Sequence, residues 1–232
     1  MQPIYEAQNL YKCYGKAEAL HDVNFAVEPG KLVGLLGPNG SGKTTLLKLS
    51  ARLLVPSSGR VRIAGQCPGV ATKALTAYLP DRLALPSDRK CRDLFAMYRD
   101  FFADFDEAKA REMAADLKLE ENQRLGAMSK GTQEKLQLCL LMARAARLYL
   151  LDEPLGGVDP AARAYILRTI LRSYSEDAAL VLSTHLVADI EAALDEVLIL
   201  KQGTVLTHCA VDALREEHGM SVDAYFKEVF AC

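Results

Sequence analysis

The chain has 232 residues, enough to bury a full hydrophobic core as one large domain or two small ones. Its net charge of -2 gives no electrostatic reason to expect a nucleic-acid partner. Six scattered cysteines, with no CxxC pair, argue against a disulfide frame or a zinc site and predict reduced thiols in a cytosolic protein. The stretch Met1 to Glu6 has neither the basic start nor the apolar core of a secretory signal. The most apolar run, Leu136 to Leu151, is broken by Arg144 and Arg147, so no transmembrane helix is expected.

Taken in chain order, Ile4 to Leu10 and Val23 to Val27 read as short strands joined by a polar stretch around Tyr14-Gly15-Lys16. The turn Glu28-Pro29-Gly30 leads into Leu32 to Leu36, an apolar run of strand length. Gly37-Pro38-Asn39-Gly40-Ser41-Gly42-Lys43-Thr44-Thr45 follows, and the leucines from Leu46 to Leu54 then recur at helical spacing. Strand, glycine loop and helix form the setting that a phosphate-binding P-loop requires. The glycines let successive backbone N–H groups turn inward at a positive helix terminus and form a nest for oxyanions. Lys43 would reach the β- and γ-phosphates of a nucleotide, and the Thr44 hydroxyl would ligate Mg²⁺.

Beyond this helix, Pro56-Ser57-Ser58-Gly59 reads as a turn, and Arg60 to Ala64 alternates like a half-buried strand. Leu75 to Leu79 is a further strand, ended by Pro80. Between Pro86 and Arg147 strand signals vanish and amphipathic helices fit better, one carrying Leu94, Met97, Tyr98 and Phe101 and another Met113 and Leu117. The aromatic cluster Phe101, Phe102 and Phe105 reads as internal packing in preference to a docking surface. This predicts an α/β core formed by residues 1–85 and 147–232, with a helical insertion at 86–146.

Leu148 to Leu151 is a continuous apolar run, the mark of a strand buried on both faces, and it ends in Asp152-Glu153. The alternation then resumes with a helix from Pro160, N-capped by Asp159, and a strand from Ala179 to Ser183. A helix across Leu186 to Leu194, a strand from Val197 to Leu200 and a turn at Gly203 into Thr204 to Thr207 complete the core. The tail from Ala210 to Cys232 reads as helical and polar. A carboxylate at the end of a buried strand is costly without a task. Downstream of a P-loop that task is to hold Mg²⁺, which assigns Asp152 to the metal and Glu153 to the general base that polarises the attacking water.

With these motifs in hand, the sequence resembles the ATP-binding cassette family over essentially its whole length, and in the family's order. Tyr14 sits where that family places an aromatic that stacks on adenine, and Gly37 to Thr45 matches its P-loop. Met128-Ser129-Lys130-Gly131-Thr132 stands where the family has its Leu-Ser-Gly-Gly-Gln signature. Leu148 to Glu153 matches the strand that follows, Gly156-Gly157-Val158-Asp159 the D-loop, and His185 the switch histidine. The resemblance implies a P-loop NTPase fold with a mixed sheet and an inserted helical subdomain, with ATP and Mg²⁺ as cofactors. It implies a head-to-tail pairing with a second such subunit, two copies of this chain being the expected form. Each ATP would lie between one protomer's P-loop and the other's Ser129 and Gly131, with Asp159 close by and His185 orienting the water with Glu153.

Three departures are legible. Lys130 and Thr132 occupy signature positions that the family gives to glycine and glutamine, Gly156 replaces the D-loop serine, and Asp81 stands where the family has a Mg²⁺-binding glutamine. A carboxylate also ligates Mg²⁺, so Asp81 is carried as a metal ligand, although a turn aspartate after proline is an equal reading. The resemblance implies an ATP-hydrolysing subunit, peripheral on the inner face of the cell membrane, that powers a separate transmembrane permease. Lys130 and the Tyr-Leu-Pro-Asp segment are most similar to subunits of small bacterial exporters. Two other readings stay open: a soluble cassette ATPase acting on a ribosome or DNA, and a module that holds ATP without turnover. The first lacks its usual second cassette or basic arm, and intact Lys43, Asp152, Glu153 and His185 weigh against the second.

Overall fold

A computed structural model describes residues 2–156, 160–175 and 177–231, with backbone alone at 160–162. The N-terminal strands β1 (Tyr5–Tyr14) and β2 (Ala17–Val27) form a hairpin that turns at Gly15. They exceed the predicted strands because paired polar residues extend them to the hairpin tip. With β4 (Ser58–Ile63) they make a three-stranded antiparallel sheet in the order β2-β1-β4.

The second sheet carries β3 (Leu32–Leu36), β5 (Thr76–Leu79), β6 (Leu148–Asp152), β7 (Ala179–Thr184), β8 (Glu196–Lys201) and β9 (Thr204–Ala210). Its order is β5-β6-β7-β3-β8-β9, parallel throughout except for the antiparallel edge strand β9. Every residue of β3, β6 and β7 is buried, as their apolar runs require of strands covered on both faces, and the burial extends to the polar Asp152, Ser183 and Thr184 at the ends of β6 and β7. Period-two alternation divides them between two cores. Leu148, Leu150, Val33 and Leu35 pack with α1 (Lys43–Ser50) and the small sheet. Tyr149, Leu151, Leu32 and Leu36 pack with the helices on the opposite face.

Those helices are α3 (Cys91–Phe101), α4 (Glu107–Asp116), α5 (Lys130–Met142) and α6 (Pro160–Ser173). The short α2 (Val70–Leu75), absent from the sequence expectation, precedes β5. Its first turn is closed by the Thr72 hydroxyl, which accepts from the Gly69 amide at 2.8 Å. Helix α1 ends at Ser50, four residues short of Leu54, because Arg52 takes a left-handed φ of 56°. Phe102 and Phe105 pack against Tyr98 at 5.3 and 5.6 Å between ring centroids, as expected, but Phe101 is 76% exposed. The stretch predicted as one helix over Leu186 to Leu194 is α7 (Val187–Ile190) followed by a 3-10 turn. The tail forms α8 (Val211–His218) and α9 (Val222–Val229), and the Glu191 carboxylate accepts from the Val222 and Asp223 amides at the start of α9. Among the described residues no helix is long and apolar enough to cross a membrane.

Candidate functional site

The parallel strands β3, β6 and β7 lie side by side with their C-terminal ends together, the usual place for ligands in such sheets. β3 delivers the loop Gly37–Gly42 and then α1; β6 delivers Asp152 and Glu153; β7 delivers Ser183, Thr184 and His185. The loop needs its glycines. Gly37 and Gly42 have φ of 153° and 107°, and a Cβ at Gly37 would lie 2.4 Å from Ser41 Oγ and 2.5 Å from the Leu200 carbonyl oxygen.

Lys43 is buried in the first turn of α1, and its Nζ donates to the carbonyl oxygens of Gly37 at 2.6 Å and Pro38 at 3.2 Å. Its ammonium lies 3.9 Å from Glu153 Oε1. Burial lowers its pKa, against the opposing pull of the Glu153 and Asp152 carboxylates. Asp152 is 1% exposed; its Oδ1 accepts from Ser183 Oγ at 2.7 Å, while Oδ2 is buried with no hydrogen-bond partner among the described residues. Glu153 takes a left-handed φ of 51°, rare for a residue with a side chain, and its amide donates to both Ser183 O and Ser183 Oγ at 3.1 Å. Its Oε2 meets His185 Nδ1 at 3.0 Å.

A cleft of about 260 Å³ runs along this face, lined by the loop residues Asn39 to Thr45 together with Ala19, Asp81 and Glu153. The structure thus brings Asn39, Gly40, Ser41, Gly42, Lys43, Thr44, Thr45, Asp81 and Glu153 to one cavity, with Asp152 and His185 hydrogen-bonded beside it. The Thr44 hydroxyl, the unpartnered Asp152 Oδ2 and the Asp81 carboxylate are hard oxygen donors that fit Mg²⁺. Among the described residues no three His, Cys, Asp or Glu side chains stand close enough to hold a metal. Mg²⁺ does not require such a cage, because it keeps several waters and shares phosphate oxygens.

Tyr14 ends β1, 49% exposed, with the Lys12 ammonium 5.1 Å from its ring centre, and does not line the cleft. Ser129 and Gly131 are also outside it, at the start of α5, where Ser129 Oγ accepts from the Thr132 amide at 3.2 Å. Beside them Lys130, paired with Glu134 at 3.7 Å, lines a second cavity of about 160 Å³ that shares Asp81 and Glu153 with the first. Gly157, Val158 and Asp159 lie outside the described residues. Sequence reasoning assigned no part to Ser183. The sequence shows only a hydroxyl near the end of an otherwise apolar strand; the parallel register of the folded sheet sets it opposite Asp152.

The family model described as "ABC transporter" matches residues 20–156. An uncharacterized ABC transporter ATP-binding protein of Methanocaldococcus jannaschii is 30% identical over 222 residues, covering 91% of this chain and 79% of that protein. The SkfA peptide export ATP-binding protein SkfE of Bacillus subtilis is 28% identical over 220 residues, covering 92% of each. Among solved structures, the ATP-binding subunit of an ABC transporter superposes with a TM-score of 0.87 at 26% identity, covering 97% of this chain and 99% of that one.

Proposed function

Because the chain belongs to the ABC transporter family as an ATP-binding subunit, we propose that it hydrolyses ATP to drive a separate transmembrane permease, docked on the inner face of the cell membrane. The observation that carries the catalytic part is the contact between Glu153 and His185 beside the loop that holds Lys43. Lys43, now held by loop carbonyls, turns to the β- and γ-phosphates when they enter the nest of backbone amides from Gly37 to Thr45. Tyr14 stacks on adenine. Glu153 accepts a proton from the attacking water while His185 holds the carboxylate and the water in line. Thr44, Asp152 and Asp81 would hold Mg²⁺, which would supply charge neutralisation on the phosphate oxygens.

Ser129, Gly131 and Asp159 complete the site of a second subunit in trans, so that ATP closes the dimer and hydrolysis reopens it. Residues 86–146 act as the helical unit that carries this segment. The permease reading is supported by an apolar groove lined by Ala51, Leu53, Tyr98 and Phe102, beside the exposed Phe101. The helical unit and the core meet there, so a docked helix would bear on both. The export relative makes a peptide or other amphipathic cargo the first class to try.

Substituting Glu153→Gln tests this. The variant is expected to bind ATP, accumulate as a dimer on size exclusion and lose steady hydrolysis by at least about a hundredfold, the usual weight of a positioned base. From gently solubilised membranes it should carry down a polytopic membrane protein in equal amount. Hydrolysis at the wild-type rate would overturn the base assignment, and ribosomal or nucleic-acid components alone would overturn the permease.

A further inference from the structure

We propose that Ser183 is a positioning residue that aims Asp152 at the metal and Glu153 at the water, so that one hydroxyl sets both halves of the site. This rests on the roles given above to Asp152 and Glu153. Ser183 is fully buried, and its Oγ makes two contacts at once: it donates to Asp152 Oδ1 at 2.7 Å and accepts from the Glu153 amide at 3.1 Å. The parallel register fixes this arrangement, because Asp152 and Ser183 are paired neighbours on β6 and β7 whose side chains share a face with Leu150 and Val181.

A buried acceptor left without a donor is costly, so an unpaired carboxylate oxygen beside the phosphate-binding loop marks a place where a positive ligand is favoured. Here Oδ1 is satisfied by Ser183 and Oδ2 has no partner among the described residues. The hydroxyl therefore fixes the rotation of the carboxylate and leaves its second oxygen free for a positive ligand. The second contact serves the next residue. Glu153 needs a left-handed backbone to bring its side chain to His185, and its amide is held there by both oxygens of Ser183. Metal-binding carboxylates held by such outer partners typically lose ten- to a hundredfold in affinity when the partner is removed.

The test is the affinity for a non-hydrolysable ATP analogue, measured by titration calorimetry in EDTA and again in Mg²⁺, for the full chain and for Ser183→Ala, Ser183→Thr and Asp152→Asn. Ser183→Ala is expected to leave the EDTA value within about twofold and to shrink the Mg²⁺-dependent tightening by about tenfold or more. Ser183→Thr, which keeps the hydroxyl, is expected to restore it. A general loosening of the loop would weaken both conditions equally, and that result overturns the inference. An unchanged tightening in Ser183→Ala while Asp152→Asn loses it also overturns the inference but leaves the metal assignment standing. An unchanged tightening in Asp152→Asn overturns the metal assignment, and the inference with it.

Discussion

At Gly37 the backbone turns with φ of 153°, and an added methyl would press on Ser41 Oγ at 2.4 Å and on the Leu200 carbonyl at 2.5 Å. The serine can rotate, but the carbonyl belongs to β8 and cannot move without the strand. Gly40 also has a positive φ, 83°, yet nothing stands within 4 Å of its added Cβ. The two glycines therefore separate conformational need from crowding. Gly40→Ala is expected to cost only the backbone strain, about 1–2 kcal/mol. Gly37→Ala carries that strain plus overpacking of about 1–3 kcal/mol more, and it displaces the loop that holds Lys43. Urea unfolding and nucleotide titration of both variants check the ordering. Equal losses would mean that the loop does not sit against Leu200 as described. At this scale the sequence was most informative, because a P-loop advertises itself by residue type. Ser183 was not legible, since its importance depends on which strand lies beside Asp152, and strand order is a tertiary property.

The elements follow their sequence patterns where burial is two-sided and depart where a local contact decides. β3 was readable to the residue from its apolar run and β6 to within one, since the strand continues through Asp152, but α2 was not, because a six-residue helix closed by Thr72 leaves no hydrophobic period to detect. The joint between α5 and the rest shows what the pattern hides. Arg144 was read as a charge interrupting an apolar run, yet it is 4% exposed. Its guanidinium pairs with Asp104 through two bonds of 3.0 Å, donates to Ala74 O and Thr76 O at 2.8 Å and lies 4.0 Å over the Phe102 ring. It thus ties the loop after α3 to the approach to β5, the strand that leads to Asp81. A lysine offers one compact ammonium in place of a planar fork and cannot make these bonds together. Arg144→Lys is expected to destabilise the protein by about 3 kcal/mol, near the lower end for breaking a buried pair. Denaturant unfolding measures it, and a change below about 0.5 kcal/mol, the level of an ordinary surface substitution, would rule out this tie.

For the whole molecule, the residues of the proposed site fall into two groups that one chain does not bring together. Lys43, Thr44, Asp81, Asp152, Glu153 and His185 gather past the C-terminal ends of the parallel strands, whereas Ser129 and Gly131 stand outside the cleft, Gly131 with open space around it. A second subunit, as proposed, would reconcile the two groups, and Gly131 allows that pairing to be tested without disturbing the fold. An added Cβ there meets nothing within 4 Å, and an acidic residue in the first turn of a helix is favoured by the helix dipole. Gly131→Asp is therefore expected to leave unfolding stability within about 0.5 kcal/mol of wild type, as for an ordinary surface change. Its own P-loop is untouched, so nucleotide affinity of the isolated chain should also be unchanged. In the dimer, however, the new carboxylate would face a partner's γ-phosphate, and like charges in a closed, poorly solvated interface repel strongly. Placed in the Glu153→Gln background, it should abolish the ATP-dependent dimer seen by light scattering while ATP still binds. A dimer that persists would remove the start of α5 from the nucleotide site. Loss of ATP binding by the isolated chain would instead mean that α5 completes the cleft of its own protomer.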